Sequence, residues 1–120
     1  MEPLNTLRDH KGHYLWSSLE AFDMVREVAH PNVKIVYDIY HQQIMEGNII
    51  PNVTQNLDCI GHLHAAGHPG RNEPWNSETN YKFVFDAITA AGYKGACGLE
   101  YIPKMDPIES LKKARELYAD

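Results

Sequence analysis

Apolar and polar positions alternate along this chain in two recognisable periods. From Ser17 to His30 the apolar residues Leu19, Phe22, Met24, Val25 and Val28 recur at roughly helical spacing, behind a serine cap and with Glu20 nearby; Pro31-Asn32 ends the run. Val33 to Asp38 is short and β-branched and predicts a buried strand. Gln42 to Glu46 opens a helix that Gly47-Asn48 interrupts, and Pro51 to Leu57 offers a second helical piece. Cys59 to Ala66 predicts another strand, and Gly67 to Asn80, rich in Gly, Pro, Asn and Ser, a long loop. Loops of that length in compact domains are commonly functional. Asn80 to Ala91 is helical with Gly92 placed as a C′ residue, Ala96 to Tyr101 is a third strand, and Asp106-Pro107 starts a last helix to Tyr118.

Each strand is therefore followed by a helix, the mark of right-handed βα units on a parallel sheet. A doubly wound sheet and part of a (βα)₈ barrel both satisfy this order. A full barrel takes about 250 residues, so 120 residues supply about half of one. No repeat or linker divides the chain, and residues 1–120 are read as one unit.

The strand ends carry the candidate chemistry. The first strand ends at Asp38, the second at His64 and the third at Glu100. With alternation counted back from these ends, Val36, His62 and Gly98 share the face of the polar residues, whereas Ile35, Tyr37, Leu63, Cys97 and Leu99 lie on the opposite, helix-facing side. In parallel α/β folds function sits at the C-terminal strand ends. Asp, His and Glu delivered to one rim suit a divalent ion of the Mn²⁺, Mg²⁺, Co²⁺ or Zn²⁺ type. A single acid at a strand end is as readily a helix cap or loop anchor.

Composition narrows the classes. Sixteen acidic against eleven basic residues give a net charge of −5, without the basic footprint of a nucleic-acid binder. No apolar run nears the roughly 20 residues of a membrane span, and the first residues lack a secretory leader's basic and apolar regions. Two cysteines, Cys59 and Cys97, form no disulfide scaffold and point to a reducing, cytoplasmic setting; both read as buried thiols. Of the seven histidines, His62 reads as interior filling, His10, His13 and His30 as surface, and His68 as loop packing. Tyr37 reads as packing, and Tyr40 is left open.

Four segments, in order, resemble one family. Val36 to Gly47 (VYDIYHQQIMEG) is similar to the YDIYHxQIMEG signature of the hydroxypyruvate isomerases. Ile60-Gly61-His62-Leu63-His64 with Pro69-Gly70-Arg71-Asn72-Glu73-Pro74 resembles their IGHxQ…PGRxEP block, Tyr93 to Tyr101 their GYxGxxGLEY ending, and Glu2-Pro3-Leu4-Asn5 their EPLN segment. The likeness runs from residue 2 to about residue 118 and implies a xylose isomerase-like TIM barrel, of which this chain would be the C-terminal half: the tail of strand five, then strands six to eight. That superfamily also holds ketose 3-epimerases and apurinic endonucleases; the acidic charge and the small ligand set argue against the latter.

By resemblance, Glu2, Asp38, His64 and Glu100 fall on metal-ligand positions, and Glu2 and Glu100 on the paired acid/base carboxylates. His41, Arg71 and Glu73 fall on substrate-contacting positions. The implied activity is metal-dependent isomerisation of a small hydroxy-carbonyl compound of the hydroxypyruvate/tartronate semialdehyde type, by proton transfer through an enediolate. Two departures bear on substrate: His64 stands where the isomerases carry Gln and the ketose 3-epimerases His, and Trp75 to Thr79 departs from the GTGEI pattern. Ketose 3-epimerisation and a catalytically inactive half-barrel are the alternatives. Unpaired sheet edges and an uncovered inner face lead to an expectation of homo-oligomerisation or association with a separate N-terminal half, and of Glu2 as the least firmly held ligand.

Overall fold

The computed structural model describes residues 1–118 and contains three parallel strands and five α-helices. The order is α1 (Ser18–Val28), β1 (Ile35–Asp38), α2 (Ile39–Met45), α3 (Ile49–Thr54), β2 (Ile60–Ala65), α4 (Tyr81–Ala90), β3 (Cys97–Leu99) and α5 (Pro107–Tyr118), with short 3-10 turns at Leu57–Cys59 and Pro74–Asn76. The sheet order is β1-β2-β3, and both pairings are parallel. Among the described residues no helix is long and apolar enough to cross a membrane.

The expected caps at Ser17 and Asp106 act as caps, and Asn80, expected as the first helical residue, caps α4 instead. Ser17 accepts the Glu20 N–H, Asn80 the Phe83 N–H, and Asp106 the N–H groups of Ile108 and Glu109. Gly92, at φ +99°, takes the left-handed conformation that ends α4, so its N–H can reach the Thr89 carbonyl. The 67–80 segment is less irregular than expected: Gly67 and Asn72 form an antiparallel bridge that pinches off its first half. A Cβ at Gly67 would lie 2.5 Å from the Glu73 carbonyl, so this closure needs glycine.

One helix starts earlier than the sequence suggests. The expected beginning at Gln42 moves to Ile39, directly after β1, because Asp38 Oδ1 accepts the N–H groups of Tyr40 (2.8 Å) and His41 (3.4 Å). Ile39 and Tyr40 are poor helix formers by propensity, and the cap together with full burial overrides that preference.

The core lies on the helix-facing side of the sheet. Ile35, Tyr37 and Leu63 pack under Ala21, Phe22 and Val25 of α1 and Val84 and Ile88 of α4, with Phe22 stacked parallel on Tyr37 at 6.2 Å. The predicted division of faces therefore holds for β1 and β2. On β3 it is weaker, since Leu99 is exposed and Cys97 half-buried.

Candidate functional site

Strand register determines which polar side chains meet. Asp38 pairs with His64, and His64 with Gly98, so the first two ligand candidates share a row and Glu100 stands two residues above it. The three strand ends are thus not level, although their side chains meet at one rim. β2 extends to Ala65, whose carbonyl accepts the Glu100 N–H at 3.1 Å, and Glu100 leans back from just past β3. Glycine at 98 makes room for this: a Cβ there would come within 2.9 Å of both His62 Nε2 and His64 Cδ2. The His62 ring stands edge-on to His64 at 5.1 Å and fills the layer beneath.

Glu2 is better held than expected. The Met1 carbonyl accepts the Val36 N–H at 2.8 Å and the Met1 amino group donates to the Lys34 carbonyl, so residues 1 and 2 run along the outer edge of β1 as a strand would. The Glu2 carboxylate then lies 3.2 Å from His64 Nδ1. One ligand atom from each of Glu2, Asp38, His64 and Glu100 lies within 4.8 Å of all the others.

This arrangement fits a divalent cation on two grounds. The set is three carboxylates and one imidazole, hard oxygen donors with a borderline nitrogen. Asp38, fully buried, uses Oδ1 as the α2 cap and leaves Oδ2 with no hydrogen-bond partner. A buried carboxylate oxygen without a partner is expensive unless a cation or proton meets it. Burial pushes the Asp38 carboxyl up to about 6 against the pull of the Tyr40 N–H, and the neighbouring Glu2 adds to the rise.

His41 and Arg71 border the cluster. His41 is completely buried at the start of α2, its Nε2 3.6 Å from Asp38 Oδ2. Burial, with Arg71 and His10 beside it, depresses its imidazole to about 4, which keeps the ring neutral. Arg71 occupies the left-handed region at φ 56°, a strained choice for a residue with a side chain, and its guanidinium pairs with Glu100 and lies over the Tyr40 ring at 5.2 Å. A cleft of about 690 Å³ opens next to these groups, lined by Arg8, Asp9, Tyr40, His68 and Arg71.

Glu73 is placed elsewhere. Its buried carboxylate accepts the N–H groups of Lys104 and Met105 at 2.7 and 3.1 Å, tying the 67–80 loop to the segment before α5, and it is not among the groups that converge on the cluster. Its two backbone partners, both on Oε1, account for this position as a clamp between the loop and that segment.

Two polar residues of the site escaped the sequence reading. Asn5, fully buried, and Asp9 form a relay beneath His41 and Tyr40: Tyr40 donates to Asp9 at 2.7 Å, and Asn5 Nδ2 to the same carboxylate at 2.8 Å. The EPLN motif contains Asn5, but no local spacing links it to a residue 36 positions away. Cys97 has a thiol that burial pushes up to about 12, and Cys59 is shifted the same way, so neither is poised as a nucleophile.

Comparison with known proteins agrees with the geometry. The family model described as "Xylose isomerase-like TIM barrel" matches residues 1–119. A hydroxypyruvate isomerase of Escherichia coli (strain K12) is 41% identical over 104 residues, 87% of this chain and 40% of its own length. A 2-oxo-tetronate isomerase of Cupriavidus necator is 38% identical over the same shares of the two chains. This chain thus spans about two fifths of the curated relatives it matches. Among solved structures, a Brucella melitensis protein described as an AP endonuclease, family 2, superposes with TM-score 0.89 at 34% identity, over 99% of this chain and 45% of the other. A 3-keto-D-glucoside 4-epimerase of E. coli gives 0.81 at 28%, over 96% and 44%. Three parallel strands with a convergent acid–histidine rim, and a family match over nearly every residue, lead to one statement: the chain belongs to the xylose isomerase-like TIM-barrel family and carries part of that barrel.

Proposed function

We propose that this chain contributes the metal-holding rim of an isomerase acting on a small hydroxy-carbonyl acid of the hydroxypyruvate class. The observation that carries the reading is the convergence of Glu2, Asp38, His64 and Glu100, with a partnerless buried oxygen on Asp38. Those four side chains would hold the ion, Mn²⁺ or Mg²⁺ before Co²⁺ or Zn²⁺ given three oxygen donors. When bound, such an ion supplies polarisation of a substrate carbonyl.

The protein's own groups do the rest. Moving a carbonyl to the adjacent carbon requires a proton to leave one carbon and arrive at its neighbour, and a positioned carboxylate can carry it. Glu2 and Glu100 are the two carboxylates in this role. Arg71, already charge-paired with Glu100, would hold a substrate carboxylate, and neutral His41 faces the same space. Glu73 serves the reaction indirectly, by keeping Arg71's loop closed.

A ketose 3-epimerase reading is favoured by the histidine at 64. Both reactions use the same proton shuttle. Incubation with Mn²⁺ in D₂O separates them: deuterium incorporation into hydroxypyruvate supports the first, incorporation at C3 of a ketohexose the second, and no incorporation into either removes catalysis by this chain. Glu100→Gln should abolish the incorporation.

Association is part of the proposal. The outer edge of β3 and the apolar side chains Ile102, Ile108 and Leu111 are exposed, and a barrel pairs every strand. A second copy, or a separate chain supplying further strands, would cover them. Light scattering at micromolar concentration should give a mass above 13.7 kDa or a shift on adding that partner; a strictly monomeric, non-associating chain would overturn this part.

A further inference from the structure

An imidazole that accepts on one ring nitrogen carries its proton on the other, and for His41 the two choices give opposite roles: Nε2–H facing the site makes it a hydrogen-bond donor to a bound oxygen, and bare Nε2 makes it a proton acceptor. We propose that Asn5 is a positioning residue that fixes His41 as the Nε2–H tautomer, so that His41 serves the site as a donor.

Several groups around Asn5 can only donate. The backbone N–H groups of Arg8 and Asp9 both point at one atom of the Asn5 side chain, at 3.1 and 3.0 Å, so that atom is the amide oxygen. The amide NH₂ is then turned the other way, 2.8 Å from the Asp9 carboxylate and 2.7 Å from His41 Nδ1. A flipped amide would set its NH₂ against two N–H groups and its oxygen against a carboxylate. The backbone N–H of Asn5 itself, which cannot flip, lies 3.2 Å from the same Nδ1. Two donors therefore converge on His41 Nδ1, which must present its lone pair, and the ring proton resides on Nε2.

One contact pulls the other way. An Arg71 guanidinium nitrogen lies 3.4 Å from His41 Nε2, where it would donate if Nε2 were bare. That contact is the longest of the set and is made by a partly exposed side chain already charge-paired with Glu100, whereas the Asn5 contacts are shorter and completely buried. The Asn5 side wins. His41 Nε2–H then faces the space between Asp38 Oδ2, 3.6 Å away and without a partner, and Arg71. An oxygen placed there would receive the hydrogen bond. A donor at this point stabilises negative charge developing on a substrate oxygen, and a base would remove a proton from it. Asp9 extends the relay by locking the Asn5 amide and the Tyr40 hydroxyl together.

The role in catalysis rests on the isomerase reading, but the tautomer does not, and the test keeps the two apart. Long-range ¹H–¹⁵N correlation spectra of the ¹⁵N-labelled chain, recorded near pH 7.5 metal-free and with Mg²⁺, report the protonation of each imidazole nitrogen. His41→Gln assigns the signals by their loss. The expected pattern for His41 is protonated Nε2 and bare Nδ1; protonation at Nδ1, alone or with Nε2, would overturn the proposal. In Asn5→Asp the donor beside Nδ1 becomes an acceptor, and the pattern should shift toward Nδ1 protonation. An unchanged pattern in that folded variant would remove Asn5's side chain from the role. If Asn5→Asp does not fold, the unsubstituted chain's spectrum still decides the tautomer. A chain showing the Nε2–H pattern but no deuterium incorporation would count against the activity and leave the positioning intact.

Discussion

The β1–β2 side of the sheet and the β3–α5 side are built to different standards. Beneath β1 and β2, Phe22, Ile35 and Leu63 are each 1% exposed and interlock with two helices. Around β3 and α5, Ile102, Ile108 and Leu111 are 67%, 61% and 56% exposed, and α5 buries only Ser110 and Ala114. The site straddles this divide. Asp38 and His64 rise from the packed side, Glu100 and the Glu73 clamp from the thin one. Rigidity around a ligand set should therefore be uneven: two donors are fixed by the core, and one is steered mainly by its ion pair with Arg71.

The largest effect that would break this contrast is in the core. Phe22→Ala should destabilise the chain by about 3–5 kcal/mol and Leu111→Ala by less than about 1 kcal/mol, as read from urea unfolding. Equal losses would mean that the two sides are packed alike. For the ligands, Asp38→Ala should weaken Mn²⁺ binding on the order of 100-fold, and Glu100→Ala on the order of 10-fold, by calorimetry. A Glu100 loss as large as that at Asp38 would place equal weight on the thin side.

The pH dependence sharpens the same point. Asp38's folded carboxyl is raised from 3.8 to about 6, so the native state holds this proton more tightly than the unfolded chain does. The group therefore favours folding at low pH, loses that advantage as pH rises from about 4 to about 6, and opposes folding above it. Asp38→Asn keeps an acceptor for the α2 cap and removes the charge, so without metal it should stabilise the chain by about 3 kcal/mol at pH 7.5. The gain should shrink towards zero near pH 4, and saturating Mn²⁺ should reverse its sign. A gain independent of pH would show that the carboxylate is not strained by burial. Smallest in stability is Gly98→Ala, within about 1 kcal/mol, yet it should weaken Mn²⁺ affinity roughly tenfold by crowding His62 and His64.

What could be read along the chain follows the same divide. The strand alternation located the buried set Ile35, Tyr37 and Leu63 and its polar counterpart, because both faces of these strands are committed. Asp38, His64 and Glu100 were legible as strand-end residues, and Glu2 from its motif. The level of Glu100 was not, because pairing register is a tertiary quantity that Ala65 and Gly98 set together. The start of α2 was masked by Ile39 and Tyr40, whose strand-like character is outweighed by a cap already counted as a ligand. Glu73 was read as a site residue from its motif, and the clamp its Oε1 makes with Lys104 and Met105, more than thirty positions away, was not legible from any local pattern. The Asn5–His41 contact lies equally far beyond local pattern.

Asp38 divides its two oxygens between separate tasks, one anchoring the first turn of α2 and one turned into the ligand cluster. That division makes the position hard to redesign. An effort to change the ion's identity by exchanging Asp38 for histidine would also uncap the helix that carries His41, at about 1 kcal/mol, and so disturb the pocket through a route unrelated to coordination. Glu100 caps nothing and ends no helix. At the loosely packed end of the sheet, exchange of Glu100 would alter the proposed ion site without taking a secondary-structure element with it, so its cost falls on the proposed proton transfer and not on the fold.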